Sequence, residues 1–270
     1  MRTFFKNRLF AAGALIICLQ VAVAALAPWI MPHDPFDINL EKRLTAPARE
    51  YPLGTDALGR CVLSRVMYAT RVSLGLSAIA SAVIVAVGSA IGMLSGLCGG
   101  RTDRAIMQLV NVMLAFPSLI LALVISGLIG PSLRGAVAGV AIAGWAPYAR
   151  LVRGMTLAAR EKEYVTAASF LGTRGIRLAA RHIFPQILPS LAVLSSYEVK
   201  SVILAISGLG FLGLGAQPPT PELGGMLNEA RLVMLSAPHL MAAPGVMLFI
   251  TVLGFSLFGE GFRDIFQIKK

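Results

Sequence analysis

Six long apolar runs dominate this chain and leave it very few ways to fold. They fall at roughly 10–30, 72–97, 105–129, 135–148, 187–215 and 240–259. About 20 apolar residues cross a hydrocarbon core of about 30 Å as a helix. Within that core, only helices and closed barrels satisfy their own backbone groups. Hydrophobic residues make up 56% of the chain and charged ones only 14%, with a mean hydropathy of +0.76. A soluble domain of this length does not fit such a composition. The expectation is an all-α integral membrane protein with about six transmembrane helices, the fourth run being the shortest. Arg2, Lys6 and Arg8 precede the first run as they would in a signal peptide. No small-x-small cleavage site stands before the Pro28-Trp29 break, which favours a retained first helix.

Charge sets the expected orientation. With both termini on one side, the segments on that side hold fifteen basic and five acidic residues, a net of +10. The opposite segments hold eight basic and seven acidic residues, a net of +1. Glu198 and Lys200 lie inside the fifth run and cancel. Excess Lys and Arg mark the cytoplasmic side, so the termini are expected there, and the positive charge reads as topology and not as a nucleic-acid footprint. Cys18, Cys61 and Cys98 are too few and too scattered for a disulfide framework. They lack metal-ligand spacing with His33, His182 and His239, and read as structural thiols.

Residues 31–71 form the first outer segment. Pro28, Pro32, Pro35 and Pro47 make its start extended and turn-rich. Leu58, Val62 and Val66, with Arg60, Ser64 and Arg65 between them, then predict an amphipathic helix along the membrane surface, capped by Thr55 or Asp56. It reads equally as a lid at the outer mouth or as a plain lead into the second span. The expected division is thus 1–71, first helix and outer segment; 72–264, core with a loop at about 150–186; and 265–270, a tail.

Small residues mark packing faces. Gly88, Gly92 and Gly96, with Ser73, Ser77 and Ser81 in register, predict a close helix crossing in the second span. The fifth run ends in a glycine-dense stretch from Gly208 to Gly215, which weakens a helix. It suits a hinge or a close crossing beside a pathway. Glu198 lies eleven residues past Ile187, about 16 Å along a helix. An ionisable residue at that depth costs about 3 kcal/mol and marks function by default. Lys200, two residues on, faces elsewhere, so one of the two faces a wet cavity or a partner subunit. If the span starts later, both sit at the interface. Glu198, Lys200, Gly208, Gly210 and Phe211 are the candidate path residues.

No engine is visible. The chain has no Gly-x-x-x-x-Gly-Lys-Ser/Thr loop, no His-Glu-x-x-His pair and no supported Ser/His/Asp set. Neither an enzymatic role nor a cofactor or metal site in this chain is expected. What stands out is 163–189, polar and rich in Ala and Arg between two apolar spans, a block suited to docking. It reads Glu163-Tyr164-Val165, Ala167-Ala168, Leu171-Gly172-Thr173, Arg181-His182-Ile183 and Pro185, with Pro189 beyond.

That block resembles the EAA loop of bacterial binding-protein-dependent ABC transporter permeases. Leu53-Gly54-Thr55-Asp56, Leu58-Gly59-Arg60, Ala115-Phe116-Pro117-Ser118, Tyr148-Ala149-Arg150, Phe211-Leu212-Gly213-Leu214-Gly215, Gln217-Pro218-Pro219-Thr220 and Gly261-Phe262-Arg263-Asp264 are similar to the peptide/nickel branch, C-type subunit. Each is weak alone; their order along the chain, from about Pro52 to Asp264, is specific. The resemblance implies a type I importer (MetI-like) permease fold in the bacterial inner membrane. It implies a second permease sharing the path, cytoplasmic ATPases that bind the ATP, and an outer solute-binding protein. It also implies that Glu163, Tyr164, Ala167, Ala168, Gly172, His182 and Pro185 couple the permease to its ATPase. Cys61, Leu223, Gln186, Ser256 and Ile206 depart from the usual family residues, leaving short peptides and nickel or metal chelates as alternative cargoes. A proton-coupled secondary carrier is the rival reading, since it too would use Glu198, but it leaves 163–189 unexplained.

Overall fold

The computed structural model describes residues 7–173 and 175–267. Arg2, Lys6, Arg174, Lys269 and Lys270 of the charge count lie outside the described residues, as does the end of the expected tail. The architecture is helical: α1 (Arg8–Ile30), α2 (Val62–Cys98), α3 (Gly100–Leu114), α4 (Ser118–Ile129), α5 (Leu133–Arg160), α6 (Glu163–Phe170), α7 (Gly175–Leu178), α8 (Phe184–Phe211), α9 (Leu223–Arg231) and α10 (His239–Gln267). A π-helical turn, Ala179–Ile183, joins α7 to α8.

The small-residue stripe of α2 performs the packing expected of it. A Cβ on Gly88 would lie 2.9 Å from Tyr148 Cβ, one on Gly92 would lie 2.4 Å from the Ala149 carbonyl oxygen, and one on Gly96 would lie 2.8 Å from Thr156 Cβ. Ser73, Ser77 and Ser81 are buried on the same helix. Only backbones this close gain dispersion contacts where lipid removes the hydrophobic drive. The contacts advance together along α2 and α5, from Gly88 and Tyr148 to Gly96 and Thr156, so the two helices run parallel. The intervening α3 and α4 must therefore make the return crossing.

That crossing is broken. α3 and α4 meet at 86° around Ala115-Phe116-Pro117, because a residue before proline is driven out of the helical region and proline lacks a donor. Among the described residues, five helices are long and apolar enough to cross a membrane, and six if the bent pair counts as one span. Both halves of the pair bind α5. Asp103 and Asn111 of α3 meet Arg153 and Arg150, and Ser126 of α4 donates to the Gly135 carbonyl at 3.0 Å.

The first helix is an integral part of the bundle. A Cβ on Gly13 would lie 2.3 Å from the Phe258 nitrogen of α10, Phe10 stacks against Phe258 and Phe262, and Gln20 Nε2 donates to Thr251 Oγ1 at 2.9 Å. α1 and α10 run antiparallel, which brings both ends of the described chain to the same side of the bundle.

The outer segment corrects the expected surface helix. α2 starts at Val62 and continues unbroken to Cys98, so the expected division at 71/72 falls inside a helix. Asp56 does not cap it. Asp56 Oδ1 instead accepts from the backbone of Leu58 and of Arg60, closing a tight turn. The face with Arg60, Ser64 and Arg65 turns inward: Arg65 is 1% exposed and Ser64 fully buried. Val62 and Val66 are buried as well, so the helical spacing holds while both faces, apolar and polar, are covered by the rest of the protein.

Candidate functional site

The distinctive block between α5 and α8 is a helix pair on a buried root. α6 starts at Glu163, which lies in its first turn, where a carboxylate complements the helix dipole. Val165 and Ala168 are buried in the main core alongside Ala159, Leu178 and Ile183. The helix ends on Gly172, whose φ of +91° lies in the left-handed region. The Gly172 amide donates to the Ser169 carbonyl at 3.1 Å and the Thr173 amide to the Ala168 carbonyl at 3.0 Å. These are the two bonds of a Schellman stop. Nothing lies within 4 Å of a Cβ placed at Gly172, so glycine is required here for conformation alone.

The turn thrusts apolar side chains outward. Phe170 and Leu171 are each 88% exposed and Ile176 is 79% exposed. Glu163, Tyr164 and Ala167 line the same exposed side of α6. The Tyr164 hydroxyl donates to Gln186 Oε1 at 3.0 Å, tying α6 to the start of α8. His182, half-buried, lies in the π turn, and exposed Pro185 directly follows that turn at the start of α8. All seven candidate coupling residues thus fall on one helix–turn–helix unit, with Ala168 among its buried roots.

The candidate path residues divide. Glu198, half-buried, faces a cavity between α2, α4, α5 and α8. Lys200 turns away, its Nζ 4.8 Å from the ring centroid of Tyr197, whose hydroxyl reaches Glu260 of α10 at 3.4 Å. The two do not pair, as their spacing implied. Gly208 and Phe211 are half-buried, and a Cβ on Gly208 would meet open space. Gly210 is a packing position: its Cβ would lie 2.1 Å from Glu222 Oε2. Among the described residues, no three His, Cys, Asp or Glu side chains gather to hold a metal ion.

Comparison with known proteins assigns this arrangement. Residues 88–269 match the model for the binding-protein-dependent transport system inner membrane component. The chain belongs to that family. Residues 1–47 match the N-terminal transmembrane domain of oligopeptide transport permease C. The chain is 38% identical to the nickel transport system permease protein NikC of Escherichia coli K12, covering 98% of this chain and 96% of the relative. It is 38% identical to the glutathione transport system permease protein GsiD of Pectobacterium atrosepticum, over 99% and 89%. It is 38% identical to the dipeptide transport system permease protein DppC of Haemophilus influenzae, over 98% and 92%. This is a multi-pass ABC importer permease subunit, and none of these relatives supports the proton-coupled alternative.

Two polar clusters of the permease escaped the sequence reading. At one end of the bundle, Arg60 Nη2 and Arg65 Nη2 both donate to Glu229 Oε2, at 3.0 and 2.9 Å, while Arg60 Nε donates to Asp56 Oδ2 at 2.7 Å. On the other side, Arg153 forks onto Asp103 at 2.5 and 2.6 Å, and Arg160 Nη1 donates to the Gly96 carbonyl at 2.6 Å. Apart from the local Asp56–Arg60 pair, the partners in both clusters come from distant parts of the sequence, so neither cluster as a whole had a local signal.

Glu222 also went unremarked. It is 1% exposed and caps α9 by accepting from the Gly224 and Gly225 amides, each at 2.9 Å. Ser73 and Ser207 hydroxyls add longer bonds from α2 and α8, at 3.3 and 3.4 Å. Burial pushes its carboxyl above the ordinary range, against the pull of these four donors. A raised folded value means the folded state holds the proton longer than the unfolded one. Stability therefore falls as pH rises from the ordinary value of 4.5 through the folded value. Glu222→Gln removes this titration. Thermal unfolding in detergent between pH 4 and 8 should show the wild-type midpoint dropping relative to the variant as pH rises, and parallel curves would refute the assignment.

Proposed function

We propose that this permease forms half of the translocation path of an ATP-driven importer and receives its power stroke through α6 and the Gly172 turn. The observation that carries this is the exposed apolar knuckle, Phe170, Leu171 and Ile176, on a helix pair rooted in the core by Val165, Ala168, Leu178 and Ile183. An apolar protrusion beyond the spans needs a cover, and a buried root passes force from that cover into α5 and α8. The cover is a cytoplasmic ATPase that binds the ATP. A similar second permease completes the path, and a solute-binding protein delivers cargo to the outer segments. The excess of Lys and Arg supports a cytoplasmic position for the α6 side and for both termini. Short peptides or metal chelates are the cargo class, in keeping with relatives named for nickel, glutathione and dipeptide transport.

The test is ATP hydrolysis by the reconstituted complex with loaded or empty binding protein, for wild type and Gly172→Val. A β-branched residue at φ of +91° costs about 1–2 kcal/mol but meets no neighbour, so the bundle should stay folded, with an unfolding midpoint lowered by only about 2–8 °C. Stimulation by loaded binding protein should fall at least about tenfold. Full stimulation in the variant would refute coupling through this turn. A panel of a dipeptide, glutathione and a nickel chelate then sorts the cargo.

A further inference from the structure

The cavity that Glu198 faces has a volume of about 330 Å³. Ile84, Ser118, Val140, Gly144, Ser201 and Leu204 contribute to its walls, from four different helices. Apart from the two serine hydroxyls and Glu198, the side chains among these are apolar. Glu198 Oε1 approaches the α5 backbone at Gly144, 3.7 Å from where a Cβ would lie, and the glycine makes room for Ile84, whose Cδ1 would lie 2.6 Å from that Cβ. Within the described chain Glu198 has no hydrogen-bond or ion-pair partner. The nearest cation in sequence, Lys200, is held over Tyr197 on another face. On α2 the nearest basic residue to Ile84 is Arg71, about 20 Å along the helix, and on α5 Arg150 lies about 9 Å from Gly144 and is engaged by Asn111. α4 carries no charge.

A carboxylate at this depth without a partner costs several kcal/mol, and the chain offers nothing to offset it. We propose that Glu198 makes this cavity a cation subsite on the translocation path, taking the ammonium of a peptide or the positive charge of a metal chelate as cargo passes. This rests on the permease reading above and deepens it. Ser118 and Ser201 at the rim supply hydroxyls that relieve the cation's lost hydration, and the apolar walls keep the field of one carboxylate unscreened. A single acid holds such a cargo weakly, which suits a site that must release it.

The test probes the cavity with reagents of defined charge. Ser201→Cys sits three residues from Glu198, with Cβ atoms about 5–6 Å apart, in the assembled complex with Cys18, Cys61 and Cys98 replaced. Its reaction rates are compared for a trimethylammonium-ethyl and a sulfonatoethyl methanethiosulfonate, each corrected for its rate with a free thiol. The cationic reagent should react at least about tenfold faster. Adding Glu198→Gln should bring the ratio near one, and Glu198→Asp should keep most of it, while the two permeases still co-purify. A ratio indifferent to Glu198→Gln, or an unreactive cysteine, overturns the subsite. So does dissociation of the permease pair in Glu198→Gln, which would assign the carboxylate to a cation of the partner permease. Loss of binding-protein stimulation in the wild-type complex would instead defeat the importer reading and leave the labelling ratio interpretable.

Discussion

Asp56→Ala should destabilise the permease by about 3–5 kcal/mol, the usual cost of removing one partner from a buried ion cluster. Arg60 and Arg65 have side chains only 5% and 1% exposed. They share two carboxylates, Asp56 and Glu229, so the cluster is neutral as built. Without Asp56, two buried guanidinium groups face the single Glu229, which is itself partly solvated at 42% exposure. The variant also loses the acceptor that closes the turn before α2. Arg65→Met restores charge balance in the Asp56→Ala background, so the double variant should lose less than the sum of the single ones, by about 0.5–3 kcal/mol. Chemical unfolding in detergent measures all four species. An Asp56→Ala loss below about 1 kcal/mol would show that the cluster is hydrated and contributes little.

Gly92→Leu should be comparably damaging, for a steric reason. The first added carbon would lie 2.4 Å from the Ala149 carbonyl oxygen, 2.8 Å from Val152 Cβ and 3.0 Å from the Arg153 nitrogen. Two of these are backbone atoms of α5 and cannot rotate away, so α2 and α5 must separate. Overpacking typically costs about 1–3 kcal/mol, and parting the bundle's central pair should reach or exceed the top of that range. Gly75→Leu on the same helix is the control, because nothing lies within 4 Å of its Cβ. It should be neutral or slightly stabilising, since leucine is the better helix former. Equal unfolding midpoints for the two variants would refute the close α2–α5 crossing.

Both predictions rest on features the sequence displayed unequally. The stripe Gly88, Gly92 and Gly96 announced a close crossing because a period of four places residues on one helix face. It could not say that α5 fills that face, or that the two helices run parallel. Arg60 and Arg65 looked like the wet side of a surface helix, since arginine is seldom fully buried without a partner. Their partner Glu229 comes more than 160 residues later, beyond any local pattern. Gly172 stood out within the block 163–189, and the structure adds that it stops α6 with the two Schellman bonds and turns the apolar tips outward. Glu222 gave no sign, because a carboxylate in a proline- and glycine-rich connection usually lies in water. Its burial follows from α9 folding onto Ser73 and Ser207.

The sequence by itself determined the helical class, the spans, the charge asymmetry and the distinct block at 163–189, because each depends on run length, helical period or local turn chemistry. Tertiary structure decided the 86° break in the third crossing, the inward turn of the arginine face, the burial of Glu222 and the cavity over Glu198. Each of these depends on which distant helix supplies the neighbouring surface, and that choice is made only when backbones come within contact distance.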